Sequence, residues 1–198
     1  MLNNFKNYLQ QHTPISDEQF EQLSHQVSVR SYDKGRILTH PGDTATTVSG
    51  YFVTQGLLRA YTTDEKGREH IIQFAPENWW IGDRSSMYFN EPATFYIDVV
   101  EDAEVVIVNR GFMEQAQTIC PEFVRFNISL LHNSIRYMQH RISLLLAAPA
   151  EERYLSFVQL YPNVMLRVPQ LMVASYLGIT PESLSRVRKE LARKNYGS

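Results

Sequence analysis

A chain of 198 residues, 43% hydrophobic and 12% aromatic, can build a packed core as one large domain or two small ones. Its formal charge of −2 is uneven: from Arg153 onward seven Lys or Arg face two acidic residues, a small basic end on an acidic body that fits an electrostatic footprint for nucleic acid. One cysteine, Cys120, excludes an intrachain disulfide and an all-cysteine zinc or iron–sulfur site. The first residues lack the apolar core of a signal peptide, and no apolar run reaches membrane-spanning length, so a cytoplasmic protein with no membrane partner is expected.

Residues 2–11 read as an amphipathic helix with Leu2, Phe5, Tyr8 and Leu9 on one face. Ser16-Asp17-Glu18-Gln19 starts a second helix, with Phe20 and Leu23 inward. From Val27 to Val108 the period changes. Short β-branched and aromatic runs cover Arg36–Thr39, Ser49–Thr54, Leu57–Thr62, His70–Phe74, Phe95–Val99 and Val105–Asn109. Turn signals separate them: Asp33-Lys34-Gly35, Pro41-Gly42-Asp43, Gln55-Gly56, Glu65-Lys66-Gly67, Ala75–Asn78 and Asn90-Glu91-Pro92. Strands at this spacing predict an antiparallel barrel or jelly roll rather than βαβ units.

At Arg110 the period switches again. Phe112–Thr118 reads as a short helix, and Pro121 stands where a long one begins. Val124, Ile128, Leu131, Ile135, Met138, Ile142 and Leu145 then alternate spacings of four and three, the seam of a coiled coil. A second stripe, Phe123, Phe126, Leu130, Tyr137 and Leu144, offers another apolar face. One face is free to cover the barrel while the other meets a partner; the alternative is a helix buried within a monomer. Pro149 marks a break, and Ala150–Tyr161 is a further helix.

Val168–Leu191 reads as a helix-turn-helix. Leu171, Met172, Ser175 and Tyr176 share one face of its first helix, with Ala174 near the turn. Gly178 suits a positive φ, Ile179 plugs the turn, Thr180 caps the second helix and Pro181 suits its first position. Leu184, Val187 and Leu191 recur as a buried face. That leaves Thr180, Glu182, Ser183, Ser185, Arg186, Lys189 and Arg193 for double-stranded DNA, the N-terminal side chains on base edges and the later cations on phosphates. The competing reading is a helical hairpin in which Glu182 and Arg186 form an i,i+4 ion pair.

A β-roll, a long heptad helix and a helix-turn-helix, in that order, resemble the Crp/Fnr superfamily of bacterial transcription regulators. GLLRAYTTDEKGREHIIQFAPENWWIGD, APAEERYLSFVQLYP and VPQLMVASYLGITPESLSRVRKELARK are similar to the short regulators of this family from the Bacteroidetes. The resemblance implies an α+β chain with an N-terminal antiparallel, jelly-roll-like β-roll sensor over residues 1–120. A long dimerisation helix over 121–148 and a helix-turn-helix domain over 149–198 follow. It further implies a homodimer on a palindromic operator, dialogue with RNA polymerase, and no catalytic residues. Ala192–Ser198 leaves little sequence for the β-hairpin wing of many such domains.

The family's cyclic-AMP pattern begins with Gly-Glu and places Arg-Ser or Arg-Thr about ten residues later. Here Gly82-Asp83 resembles the first pair, and Ala93-Thr94 stands where the second belongs. The cation for a cyclic phosphate is missing, and a buried phosphate without one is costly. The resemblance therefore implies an effector other than cyclic AMP, around Gly82, Asp83, Arg84, Ser85, Ser86 and Thr94, or none. No cofactor or metal is identified. None of the six histidines lies in a haem motif, and a cupin-type metalloenzyme would need clustered His ligands where the β region offers His40 and His70. A ligand- or partner-binding signalling module without DNA binding is the other alternative, because Pro181 stands where many members have a groove-facing arginine.

Overall fold

The computed structural model describes residues 2–44 and 49–196, and they form two compact units. The first comprises the chain up to Thr62 together with Ile72–Leu131. The second comprises Thr63–Ile71 and the chain from His132 on.

The first unit begins with α1 (Leu2–His12) and α2 (Asp17–Ser24). Ser16 and Gln19 form a reciprocal capping box: the Gln19 N–H donates to Ser16 Oγ at 3.2 Å, and the Ser16 N–H donates to Gln19 Oε1 at 2.9 Å. Six strands follow: β1 (Ser28–Tyr32), β2 (Ile37–Thr39), β3 (Gly50–Thr63), β4 (Glu69–Ala75), β5 (Trp80–Ile81) and β6 (Tyr96–Val108). Their order is β1-β6-β3-β4, with β2 paired to β6 and β5 to β3; the β1, β2 and β3 pairings with β6 are antiparallel. A six-residue helix, α3 (Arg84–Phe89), lies between β5 and β6. Then come α4 (Arg110–Ile119) and the start of α5 (Phe123–Ala147).

The sheet corrects three sequence expectations. Gln55-Gly56 is not a turn: β3 runs through it with a bulge. Gly56 has φ +87°, and a Cβ there would lie 2.4 Å from the Asp102 carbonyl, so only glycine lets β6 approach this closely. The Gly56 N–H, displaced from the ladder, donates to Glu77 at 2.9 Å. Likewise the runs at 95–99 and 105–109 are one strand, β6, and β1 adds a strand that the pattern at 28–32 does not announce.

Two cores result. Tyr51, Val53, Leu58, Ala60, Ile97, Val99 and Val105 fill the roll. On the other side Phe52, Val106 and Val108 of the sheet pack with Phe5, Leu9, Phe20 and Leu23 of α1 and α2 and with Phe112, Phe123 and Phe126. Each such side chain contributes roughly 1.5–3 kcal/mol over exposure. Thus the Phe123–Phe126 stripe of α5 covers the sheet, with Leu130 packed against the same cluster. Cys120 is buried there, and burial pushes its thiol pKa up.

The second unit holds the β3–β4 turn, the later part of α5, α6 (Ala150–Leu160), a 3-10 turn (Val164–Leu166), α7 (Gln170–Leu177) and α8 (Pro181–Tyr196). Phe157, Tyr161 and Tyr176 meet with ring centroids 5.2–5.7 Å apart. Arg153 ties the loop after α5 to the end of α7, donating from Nε to the Ala148 carbonyl and from Nη1 to the Leu177 carbonyl, both at 3.0 Å. The buried face of α7 is Val173, Ala174, Tyr176 and Leu177; of the four residues that share a face at helical spacing, Tyr176 is buried, Met172 and Ser175 are half-buried and Leu171 is 67% exposed. Six of its eight residues are apolar or aromatic, too even a spread to rank one face above another, so packing against α6 and α8 chooses the face. Among the described residues no helix is long and apolar enough to cross a membrane.

Candidate nucleic-acid interface and effector cassette

Gly178 takes φ +65°, closing α7 in a left-handed cap. Thr180 then opens α8: its hydroxyl accepts from the Ser183 N–H at 3.2 Å and lies 3.2 Å from the Ser183 hydroxyl. Pro181 is the first helical residue. The N–H of its own residue, then the Thr180 hydroxyl, hold the Glu182 carboxyl below the usual carboxylate range, with the field of Arg186 adding to them.

Leu184 and Val187 are buried and Leu191 half-buried, so α8 rests on that side. Opposite them Glu182, Arg186, Lys189 and Arg193 are exposed at i, i+4, i+7 and i+11, a stripe about 16 Å long at 1.5 Å per residue. Ser183 and Ser185 are half-buried beside it. Among the described residues Arg186 has no ion pair or hydrogen bond, so its guanidinium is not committed to Glu182. Arg188 is exposed too, but at i+4 from Leu184 it lies off the stripe, about 130° round the helix. Lys194 is committed to Glu151, at 2.7 and 3.0 Å. The tail residues 197 and 198 lie outside the described residues.

On α5 the whole heptad seam, Val124, Ile128, Leu131, Ile135, Met138, Ile142 and Leu145, is between 37% and 56% exposed in the single chain. They form a continuous exposed apolar stripe along the helix.

In the cassette the structure brings Asp83, Ser86 and Thr94 together. Asp83 is buried and caps α3, accepting from the Ser86 N–H at 3.1 Å on Oδ1. Its Oδ2 accepts from the Thr94 N–H at 2.9 Å and from the Thr94 hydroxyl at 3.1 Å. Gly82 packs so closely that a Cβ would lie 3.1 Å from Gly50 Cα and 3.2 Å from the Met87 sulfur. Ser86 Oγ is buried without a hydrogen-bond partner among the described residues, and Ser85 is half-buried. Arg84 is not gathered in: it is exposed, over the Tyr88 ring at 5.6 Å. Ala93 is buried, its peptide bonded to Gly42 and Asp43. His40 and His70 pair with Asp43 and Asp64, and no group of three or more metal-ligating side chains exists among the described residues.

Sequence reasoning missed Arg141 and Ser175. Arg141 reads as a cation interrupting a heptad helix, and Ser175 as one face residue of α7. Both bind backbone of β4.

Residues 29–118 match the cyclic nucleotide-binding domain family. The chain is 24% identical to the anaerobic regulatory protein of Aggregatibacter actinomycetemcomitans, over 87% of this chain and 70% of that one. Among solved structures it is similar to FixK2 from Bradyrhizobium japonicum, with a TM-score of 0.72, 23% identity and coverage of 85% of this chain and 86% of that one. It is also similar to the catabolite activator protein of Thermus thermophilus, with a TM-score of 0.55, 20% identity and coverage of 91% and 85%.

Proposed function

We propose that the chain is a transcription regulator of the Crp/Fnr type: a cytoplasmic, sequence-specific DNA-binding protein, a homodimer on a palindromic operator, whose effector is not cyclic AMP. The observation that carries this reading is the stripe of Glu182, Arg186, Lys189 and Arg193, exposed opposite the buried Leu184 and Val187. A helix with one apolar side seated and one basic, hydrogen-bonding side open fits a major groove. Residues 1–120 serve as the sensor, 121–148 as the dimerisation helix and 149–198 as the reader. The exposed seam of α5 supports the dimer, since a two-fold pair of readers matches a two-fold operator.

Within the sensor, the carboxylate of Asp83 accepts from Thr94 and Ser86, and Arg84 is exposed over the Tyr88 ring. A cyclic phosphodiester entering there would meet a buried carboxylate, with alanine at 93 where the cyclic-AMP pattern has its arginine.

Selection of bound duplexes from a random-sequence pool by the full-length protein tests the reading. The expected product is a palindrome whose half-sites lie about one helical turn apart, roughly 10 base pairs. Failure to enrich any sequence overturns it and favours a signalling module without DNA binding.

A further inference from the structure

Strand β4 is the last in the order β1-β6-β3-β4, so among the described residues the edge away from β3 has no strand beside it. An unpaired edge leaves peptide donors and acceptors that need partners. At Glu69–Ile71, inside the second unit, helices supply them. Ser175 of α7 donates its hydroxyl to the Glu69 carbonyl at 2.7 Å and accepts the Ile71 N–H at 3.0 Å. One hydroxyl thus does what a peptide unit of a neighbouring strand would do. Arg141 of α5 donates from Nη2 to the Ile71 carbonyl at 2.6 Å and to the Tyr176 carbonyl at 3.0 Å. Its guanidinium also lies over the Tyr176 ring, 4.0 Å from the centroid.

We propose that Ser175 and Arg141 are positioning residues for DNA binding: they seat the first reader helix on the free edge of β4 and thereby set how α8 is presented. The inference rests on the DNA-binding reading above. Neither residue belongs to the exposed stripe of α8; both act through α7, which is joined to α8 by the two residues after Gly178. Alanine at 175 removes a donor and an acceptor together. Threonine keeps both. Lysine at 141 keeps the charge but cannot span two carbonyls while stacking on a ring.

The test uses the full-length wild type, Ser175→Ala, Ser175→Thr and Arg141→Lys with a duplex that the wild type has selected from a random pool. Arg141→Lys weakens binding about 2- to 12-fold, the net worth of one hydrogen bond, and Ser175→Ala, which loses two, weakens it more. The slope of affinity against salt stays at the wild-type value, because no phosphate contact is lost. Ser175→Thr restores affinity. Amide exchange at Ile71 quickens in Ser175→Ala and, in the wild type, slows when the duplex is added, as reciprocal coupling requires. Quicker Ile71 exchange with unchanged affinity makes the bond a mere edge cover and overturns the proposal. A loss that threonine fails to rescue, or a reduced salt slope, overturns it as well. A wild type that selects no duplex removes the DNA-binding reading itself, and this inference with it.

Discussion

The carboxylate of Asp83 accepts both the N–H and the hydroxyl of Thr94 on one oxygen, while its other oxygen caps α3 through Ser86. Both carboxylate oxygens are therefore engaged by the cassette's own residues, and the Met87 sulfur packs close to Gly82. Titration calorimetry with cyclic AMP is expected to show no binding at micromolar concentration. Asp83→Ala, which strands the donors on Ser86 and Thr94, lowers stability by about 2–3 kcal/mol in urea titrations. Micromolar binding, or an Asp83→Ala protein as stable as the wild type, contradicts this.

The turn between β3 and β4 gives a pH dependence. Asp64 accepts from the Arg68 and Lys66 N–H groups, from the Arg68 guanidinium and from the His70 ring. The Arg68 N–H foremost, with the His70 and Arg68 side chains and the Lys66 N–H, pulls its carboxyl far below the usual range. A depressed folded pKa contributes order that is complete above the unfolded value, about 3.9, and fades as pH falls towards the folded one. Amide exchange at Lys66 and Arg68 is expected to stay constant from neutral pH to about 5, after correction for intrinsic rates, and to gain protection loss only in stronger acid. Asp64→Asn removes that acid response; a response that persists in Asp64→Asn contradicts the assignment.

Local signals were the legible ones. The cap, first proline and two faces of α8 follow from residues a few positions apart, and so do the Ser16–Gln19 box and the apolar seam of α5. What sequence missed depends on distant partners. Gly56 looks like a turn until β6 is laid beside it, because the bulge is imposed by Asp102 and Ala103. The face of α7 is chosen by rings on α6 and by α8, not by its own periodicity. The link from Ser175 to Glu69 joins residues 106 positions apart and has no local signature.

The α5 seam predicts the assembly state. Ile135 and Met138 are 40% and 52% exposed in one chain, and each seam side chain buried in a dimer contributes roughly 1.5–3 kcal/mol. Replacing both with Glu should yield a monomer that keeps the wild-type circular dichroism spectrum, since neither belongs to the buried core of the protomer. Light scattering checks it; a monomeric wild type at micromolar concentration contradicts the dimer.

Lys189 and Arg193 stand later on the stripe, where the proposed reading places phosphates. Lys189→Ala and Arg193→Ala should each weaken operator and scrambled duplexes alike, and each should reduce the salt slope by about one. A sequence-dependent loss in either variant would move that residue to the base edges.

Arg186 decides the matter of direct readout. It stands one turn after Glu182, exposed and without an ion pair among the described residues, where a guanidinium can donate twice to the N7 and O6 of a guanine. The measurement is competitive binding of wild type and Arg186→Ala to the selected duplex and to single-base variants of each half-site, at matched salt. The predicted result is a loss of about 1–3 kcal/mol of discrimination at one base pair per half-site, with preference elsewhere intact. Unchanged base preference in Arg186→Ala would contradict recognition by this face of α8.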